Sequence, residues 1–490
     1  MMKYKLSENG ALMHASTGHK LLDMHFQTAS SRNKDSSVIA REFCEAYAED
    51  PLNAIRWAFF AGDIRQGMGE RHVFRSVLPM IIARYPHLIK FVAEYNRFDS
   101  LLCLLDEDET RGFAMDVIKD QIHADLEAIK DGKGVSLIGK WLPSINASAK
   151  KTRKYALMIS TTLFDSHRTY RKICSKLRKA SDVLETKLCK NEWGAVDYSK
   201  IPSKAGFRYR EAFKRHDLKR YSNFIAKAIN GEVKMNVATV NVGEAVSQYR
   251  LKYNSRSEPK VDLTIEAVWQ NFPDLMKDAN VDLLPVCDMS GSMWMSCGRS
   301  TYVSDNAMAL AIYCANHNKC EAFKNKVMTF ADNPELVSVD KPTLAQNIGA
   351  LFRANVGYST NIEALFARYL RTLVDMKVDP SAKLPALIIF TDCEFNSAEM
   401  GRRNPTDPTL FGVIAQKFAH YGYKLPRLIF WNLASRSGAV PVKQNDNGLV
   451  LLSGVSQNTL DMAFSNLKDP YDVLIEKLSS DRYKQIKLEP

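Results

Sequence analysis

The sequence predicts an α + α/β chain, an all-helical segment followed by a Rossmann-like domain, on three observations. Apolar residues recur at helical spacing through the first half. Short apolar runs alternate with helical patterns in the second half. Two of those runs end in an aspartate, Asp288 and Asp392. The chain has 490 residues, 46% apolar and 25% charged, the composition of an ordinary folded protein. The spacing divides it into a basic helical module over 1–265 and an α/β domain over 275–490.

Helices are expected over 37–48, 51–62, 73–85, 86–95 and 116–129, each with one apolar face. Links such as Gly67-Met-Gly69 and Asp131-Gly-Lys-Gly134 separate them. Connections this short favour antiparallel helix pairs, which stack as a repeat solenoid. In the second half the order is strand 281–288, helix 304–317, strand 326–330, helix 361–376 and a strand running into Asp392. A helix at 410–421, strands at 427–433 and 448–452, and closing helices follow. No Walker or dinucleotide glycine loop occurs, which argues against ATP or NAD binding.

Asp288-Met-Ser290-Gly-Ser292 places one carboxylate and two hydroxyls on the loop after an apolar strand. Hard divalent cations take such oxygen ligands, so the expected ion is Mg2+ or Mn2+. Asp392 ends a second apolar run, and Gly357-Tyr-Ser-Thr360-Asn361 supplies a third polar loop between them. In an open parallel sheet such loops meet in the crevice at the carboxyl ends of the strands. An aspartate phosphatase also carries an Asp after its first strand, but its general acid two residues on is Ser290 here. Two-metal phosphodiester hydrolysis would require a cluster of carboxylates that this pattern lacks. No covalent chemistry is expected. Glu394, two residues past Asp392, reads either as an orienting group for the site or as a solvated loop carboxylate.

Nine scattered cysteines without a Cys-x-x-Cys pair suggest neither a zinc site nor a disulfide framework, and so a reducing compartment. Met1-Met-Lys-Tyr-Lys has no apolar signal region, and no run of 18 apolar residues occurs. A cytoplasmic protein without a membrane partner is the expectation. The net charge of +12 is unevenly spread. Residues 131–260 hold 28 Lys and Arg against 11 Asp and Glu, a net +17, which leaves −5 for the rest. Such a segment is the electrostatic footprint of a polyanion partner, nucleic acid first. Within 166–188, Tyr170, Ile173, Leu177 and Leu184 share one helical face, while Arg168, Arg171, Lys172, Lys176 and Lys179 fall largely on the other. A second basic stretch from Phe207 carries Lys214, Arg215, Lys219 and Arg220, with Tyr221, Phe224 and Ile225 inward. These nine cations are the candidate RNA contacts.

The order Asp288, Ser290, Ser292, Thr360, Asp392 resembles the metal-ion-dependent adhesion site of von Willebrand factor A domains. The resemblance implies that these five residues form the metal shell, some through water, with one position open to a carboxylate or other anion of a partner. Further words, Asp63-Ile-Arg65-Gln-Gly67-Met-Gly69-Glu70-Arg71, Tyr95-Asn-Arg97-Phe-Asp99, Lys140-Trp141-Leu-Pro143-Ser144 and Tyr170-Arg171-Lys172, resemble an uncharacterised family of plants, fungi and large phages. That family is similar to the Ro (TROVE-module) RNA-binding proteins, and the likeness spans residues 20 to 480. It implies HEAT-like helical repeats followed by a von Willebrand A-like domain, with structured or misfolded small RNAs on a positively charged helical surface. The helical segment here is shorter than in Ro proteins.

Two functions follow as expectations. The first is a Ro-like RNA-binding protein whose metal site recruits an acidic protein partner or stabilises the fold. The second is a metal-dependent protein scaffold without nucleic acid. Asp63, Arg65, Glu70 and Arg71 read equally as an ion-pair network joining helix hairpins or as a functional surface, and Trp141 reads as a core residue.

Overall fold

The computed structural model describes residues 4–250, 260–279, 281–297, 301–330, 333–354, 361–381, 384–396, 410–441, 449–466 and 469–489. It opens on an antiparallel hairpin, β1 (Tyr4–Leu6) and β2 (Leu12–His14), too short to be read from sequence. The helices α1 (Lys20–Phe26), α2 (Ser36–Glu49), α3 (Pro51–Gly62), α4 (Arg71–Arg84) and α5 (Val92–Tyr95) follow. After them come α6 (Asp108–Lys130), α7 (Ile138–Trp141), α8 (Lys150–Leu163) and α9 (His167–Ala180). The helical part ends with α10 (Leu184–Cys189), α11 (Ser203–His216), α12 (Leu218–Ile229), α13 (Val242–Arg250) and α14 (Leu263–Gln270).

Local chemistry sets these boundaries. Asp50 accepts from the Asn53 amide and Pro51 opens α3, where a missing N–H costs nothing. The expected helix over 86–95 is a 3-10 turn, Pro86–Phe91, continued by α5. The pattern over 166–188 is broken after Ala180, because Asp182 adopts φ 46 and the chain restarts as α10. Leu184 therefore leaves the Tyr170–Leu177 face and joins a second hydrophobic cluster with Tyr198, Phe213, Tyr221 and Ile225. The stretch from Phe207 is likewise divided at Asp217, which accepts from Tyr198 Oη at 2.8 Å and from Arg220 at 2.9 Å.

The α/β part comprises β3 (Leu283–Asp288), α15 (Val303–Asn316), β4 (Lys326–Phe330), β5 (Leu336–Ser338), α16 (Leu344–Arg353), α17 (Ile362–Asp375) and β6 (Ala386–Thr391). It continues through α18 (Leu410–His420), β7 (Leu428–Asn432), β8 (Leu449–Ser453), α19 (Leu460–Ala463) and α20 (Pro470–Leu478). Six strands form one sheet in the order β5-β4-β3-β6-β7-β8. All pairs are parallel except β4 with the edge strand β5. Sequence reading missed β5, only three residues long, and α16. Every residue of β3, β6 and β7 is buried, as expected of strands covered on both faces. Strand order reverses between β3 and β6, which places the topological switch point beside Asp288 and Asp392.

The helical and α/β parts share one continuous hydrophobic core, from Ala11 to Ile486. Helix α15 is buried from Val303 to Ala315, with the sheet on one side and α13 on the other. The two helices approach so closely that a Cβ on Gly243 would lie 2.1 Å from the Asn306 amide oxygen. At the other end of the chain α20 lies against α3. The fully buried Asp63 accepts from Arg482 Nε at 2.9 Å and from Tyr483 Oη at 3.1 Å. Its other oxygen accepts from the Arg65 amide at 2.9 Å. Glu70 takes Arg32, whose Nε stands 3.0 Å away. Asp63 and Glu70 thus join distant segments through Arg482 and Arg32, not through Arg65 or Arg71.

Removing the Asp63 carboxylate takes the acceptor from the buried Tyr483 phenol and from the half-buried Arg482 guanidinium. Asp63→Ala is expected to cost about 3 kcal/mol in denaturant unfolding. Arg65→Ala, which loses only a bond to the Glu94 carbonyl, is expected to cost under about 1 kcal/mol.

Candidate metal centre and basic surface

Asp288, the last residue of β3, is fully buried. Its Oδ1 accepts from the Ser290 amide at 2.9 Å, and its Oδ2 from the Thr391 hydroxyl at 2.6 Å. Ser290 Oγ lies 3.1 Å from Ser292 Oγ. Asp392, one residue past β6, is also fully buried; its Oδ1 accepts from the Glu394 amide at 3.3 Å. Its Oδ2 has no hydrogen-bond partner among the described residues, and the nearest cation, Arg436 Nη2, stands 3.6 Å away. The fold therefore brings Asp288, Ser290, Ser292 and Asp392 to one crevice. Thr360 lies outside the described residues.

Electrostatics at this point are unresolved by the protein itself. Burial, and then the charge of Asp392, pushes the Asp288 carboxyl above the usual carboxylate range. Burial pushes Asp392 up as well, against the opposing pull of Ser292 and Arg436. Two dry carboxylates, two hydroxyls and an orphaned carboxylate oxygen match the donor set of a hard divalent cation. Among the described residues no three His, Cys, Asp or Glu side chains converge as an all-ionic cage would require. The fit is therefore to a mixed carboxylate and hydroxyl site.

The surroundings include groups that sequence reading missed. Thr391 orients Asp288 and also accepts from the Cys393 amide at 3.0 Å; its place between an apolar strand and Asp392 was the available signal. Arg436 comes from the loop after β7, and its Nε donates to Glu8 at 2.5 Å, so the N-terminal hairpin reaches the crevice. Glu394 is buried, and of its two readings the solvated one fails. Its Oε1 accepts from the Arg436 amide at 2.6 Å, the Ser437 amide at 2.7 Å and Ser435 Oγ at 3.2 Å. Its Oε2 accepts from the Glu8 amide at 2.7 Å. One carboxylate thus ties the 435–437 loop to the hairpin.

The basic residues divide into two sets. Arg168, Arg171, Lys172, Lys176 and Lys179 are exposed on α9, and none has a carboxylate partner among the described residues. Arg215 and Lys219 are exposed in the same way on α11 and α12. Lys214 instead binds Asp262 at 3.1 Å and Glu211 at 3.2 Å. Arg220 donates to the carbonyls of Gly194 at 2.9 Å and Val196 at 2.7 Å, bracing that turn. These two cations are committed to the fold. Trp141 lies half-buried under the Arg97 guanidinium, 3.9 Å from the ring centre, as a packed residue.

The family described as Domain of unknown function (DUF7788) matches residues 282–485, and that described as Domain of unknown function (DUF2828) matches residues 104–280. An uncharacterized protein of Acanthamoeba polyphaga mimivirus is 25% identical over 506 residues, covering 94% of this chain and 84% of the relative. The crystal structure of the Deinococcus radiodurans RO (RSR) protein is similar over 92% of each chain, with a TM-score of 0.35 and 13% sequence identity.

Because the bonds to Glu394 hold the loop and the hairpin together, Glu394→Ala is expected to lower stability by about 3 kcal/mol. Hydrogen exchange should show the loss of protection concentrated at the Glu8, Arg436 and Ser437 amides, with the α3–α4 amides unchanged.

Proposed function

We propose that this chain is a Ro-like RNA-binding protein. Its helical module, residues 1–265, supplies the affinity, and its α/β domain, residues 275–490, is von Willebrand factor A-like with a metal-ion-dependent adhesion site. The observation that carries the reading is the α9 stripe of five exposed cations without carboxylate partners among the described residues, inside a segment of net charge +17. Cations not neutralised within the fold release counterions when they meet phosphates, and this supplies affinity independent of sequence. Arg215 and Lys219 extend the surface; Lys214 and Arg220 act through the fold. The resemblance of the linear words around Asp63, Tyr95 and Trp141 to Ro-related sequences points the same way.

Asp288, Ser290, Ser292 and Asp392, with Thr360 from the sequence, would hold Mg2+ or Mn2+. When bound, the ion supplies a Lewis-acidic position for a carboxylate or phosphate of a partner. The protein's own contribution is to keep two carboxylates dry and oriented, Asp288 through Thr391 and the Ser290 amide. No covalent step is assigned, and the protein is placed in the cytoplasm. Among the described residues no helix is long and apolar enough to cross a membrane. The alternative, a metal-dependent scaffold gripping an acidic protein, is favoured by one observation, the orphaned oxygen of Asp392.

RNA binding should weaken steeply with salt and persist in EDTA. Changing Arg171, Lys172, Lys176 and Lys179 to Glu should lower the slope of log K against log salt by about 3 for a single strand. Absence of salt-dependent RNA binding, with an acidic protein captured only in Mg2+, would favour the scaffold. The metal site has its own readout in thermal unfolding. Both carboxyls are raised in the fold, so without the ion stability is lost as pH rises above the ordinary carboxylate range. A bound divalent ion offsets that loss, and protons compete with it at low pH. Mn2+ at a fixed concentration 100 times its dissociation constant at pH 8 should therefore stabilise by about 2.7 kcal/mol at pH 8 and by less at pH 5.5, and Asp392→Asn should abolish the increment.

A further inference from the structure

Beside the cation stripe, α9 forms one wall of a cavity of about 370 Å3. Four cations line it, Arg171, Arg178, Lys179 and Lys190, and among the described residues no carboxylate does. Ser144, Asn146, Ser175 and Thr186 add neutral hydrogen-bonding groups. The walls are fixed from within. Arg178 Nε donates to the Gly139 carbonyl at 3.0 Å and its Nη2 to that of Leu142 at 2.9 Å, while the buried Tyr170 Oη donates to the Pro143 carbonyl at 2.6 Å. These bonds pin Gly139, Leu142 and Pro143 against α9. The nearest acid in sequence, Glu185, pairs with Lys140 at 3.7 Å instead.

We propose that this cavity receives the terminal phosphate of an RNA strand, an inference that rests on reading the α9 surface as an RNA-binding face. The volume lies at the low end of small-ligand pockets, room for about one nucleotide. An internal phosphodiester carries a single charge, and its chain must enter and leave. A phosphate monoester carries nearly two charges near neutral pH and three acceptor oxygens, which suits four cations and several hydrogen-bonding groups in one concavity. Arg171, Ser175 and Arg178 stand at helical spacing and line the cavity. Arg168, Lys172 and Lys176 form the adjacent stripe on α9. A strand whose end is seated in the cavity would run along that stripe, tracked by cations in the manner of single-strand grooves.

The test uses the full-length chain and one unstructured 12-nucleotide RNA prepared with a 5′-phosphate, a 3′-phosphate or hydroxyls at both ends, compared by fluorescence anisotropy at fixed salt. One phosphorylated form should bind about tenfold tighter than the hydroxyl form. Lys190→Gln and, separately, Thr186→Asp should bring that ratio to near one. Both positions are outside α9 and its wall-fixing hydrogen bonds. Lys172→Gln, on the outer stripe, should weaken all three RNAs alike and keep the ratio. Equal binding of the three forms, or a ratio untouched by both cavity variants, overturns the end-binding cavity while leaving the RNA reading standing. Failure of every form to bind overturns the RNA reading and this inference with it.

Discussion

Burial of α15 on all sides is the constraint on which the rest of the molecule depends. From Ala307 to Ala315 the helix is apolar around its whole circumference and cannot face water, so the sheet can cover only one of its sides and another element must cover the opposite one. The helical part supplies α13, brought to near contact by Gly243. The α/β layer and the helices are therefore parts of one core. The first helices are joined to it again at Asp63 and Arg482, so helical elements from both ends of their array meet the α/β part.

That frame fixes the crevice. Reversal of strand order between β3 and β6 sets two aspartates side by side, and burial makes their joint ionisation unfavourable. The surrounding residues manage the tension without removing it. Thr391 and the Ser290 amide spread the charge of Asp288, and Arg436 approaches Asp392 without closing on it. Glu394 holds the loop that carries Arg436 and the hairpin that carries Glu8. Charge density at the crevice is thus set by residues from three parts of the sequence. The α9 surface has the opposite character, with exposed cations that have no carboxylate partner among the described residues.

Much of this was legible in the sequence, and what was not has physical reasons. β3, β6 and β7 are buried on both faces, so their runs of apolar residues announce them; the aspartates that end β3 and follow β6 sit where any parallel sheet places its ligands. Helix faces such as Tyr170, Ile173 and Leu177 follow from spacing. The break after Ala180 does not, because Asp182 takes a left-handed conformation with no glycine or proline to signal it. The separate cluster around Tyr198, Phe213 and Tyr221 depends on contacts across three helices, which periodicity within one helix cannot reveal. Lys214 and Arg220 look like their exposed neighbours in sequence, and only the position of Asp262 and of the 193–196 carbonyls commits them to the fold. Asp63 reads as part of a local charged word, yet its partner lies 419 residues away.

That separation has a consequence for how the chain is made. At ~5–20 residues per second, a ribosome takes roughly 20 to 80 s to proceed from Asp63 to Arg482. Throughout that interval the pocket around Asp63 is without the guanidinium and phenol that satisfy it. The first helices therefore cannot complete their core until Arg482 and Tyr483 have been made. Their final docking waits on the synthesis of α20 and Arg482, and the apolar surface of α3 that later meets α20 is uncovered until then.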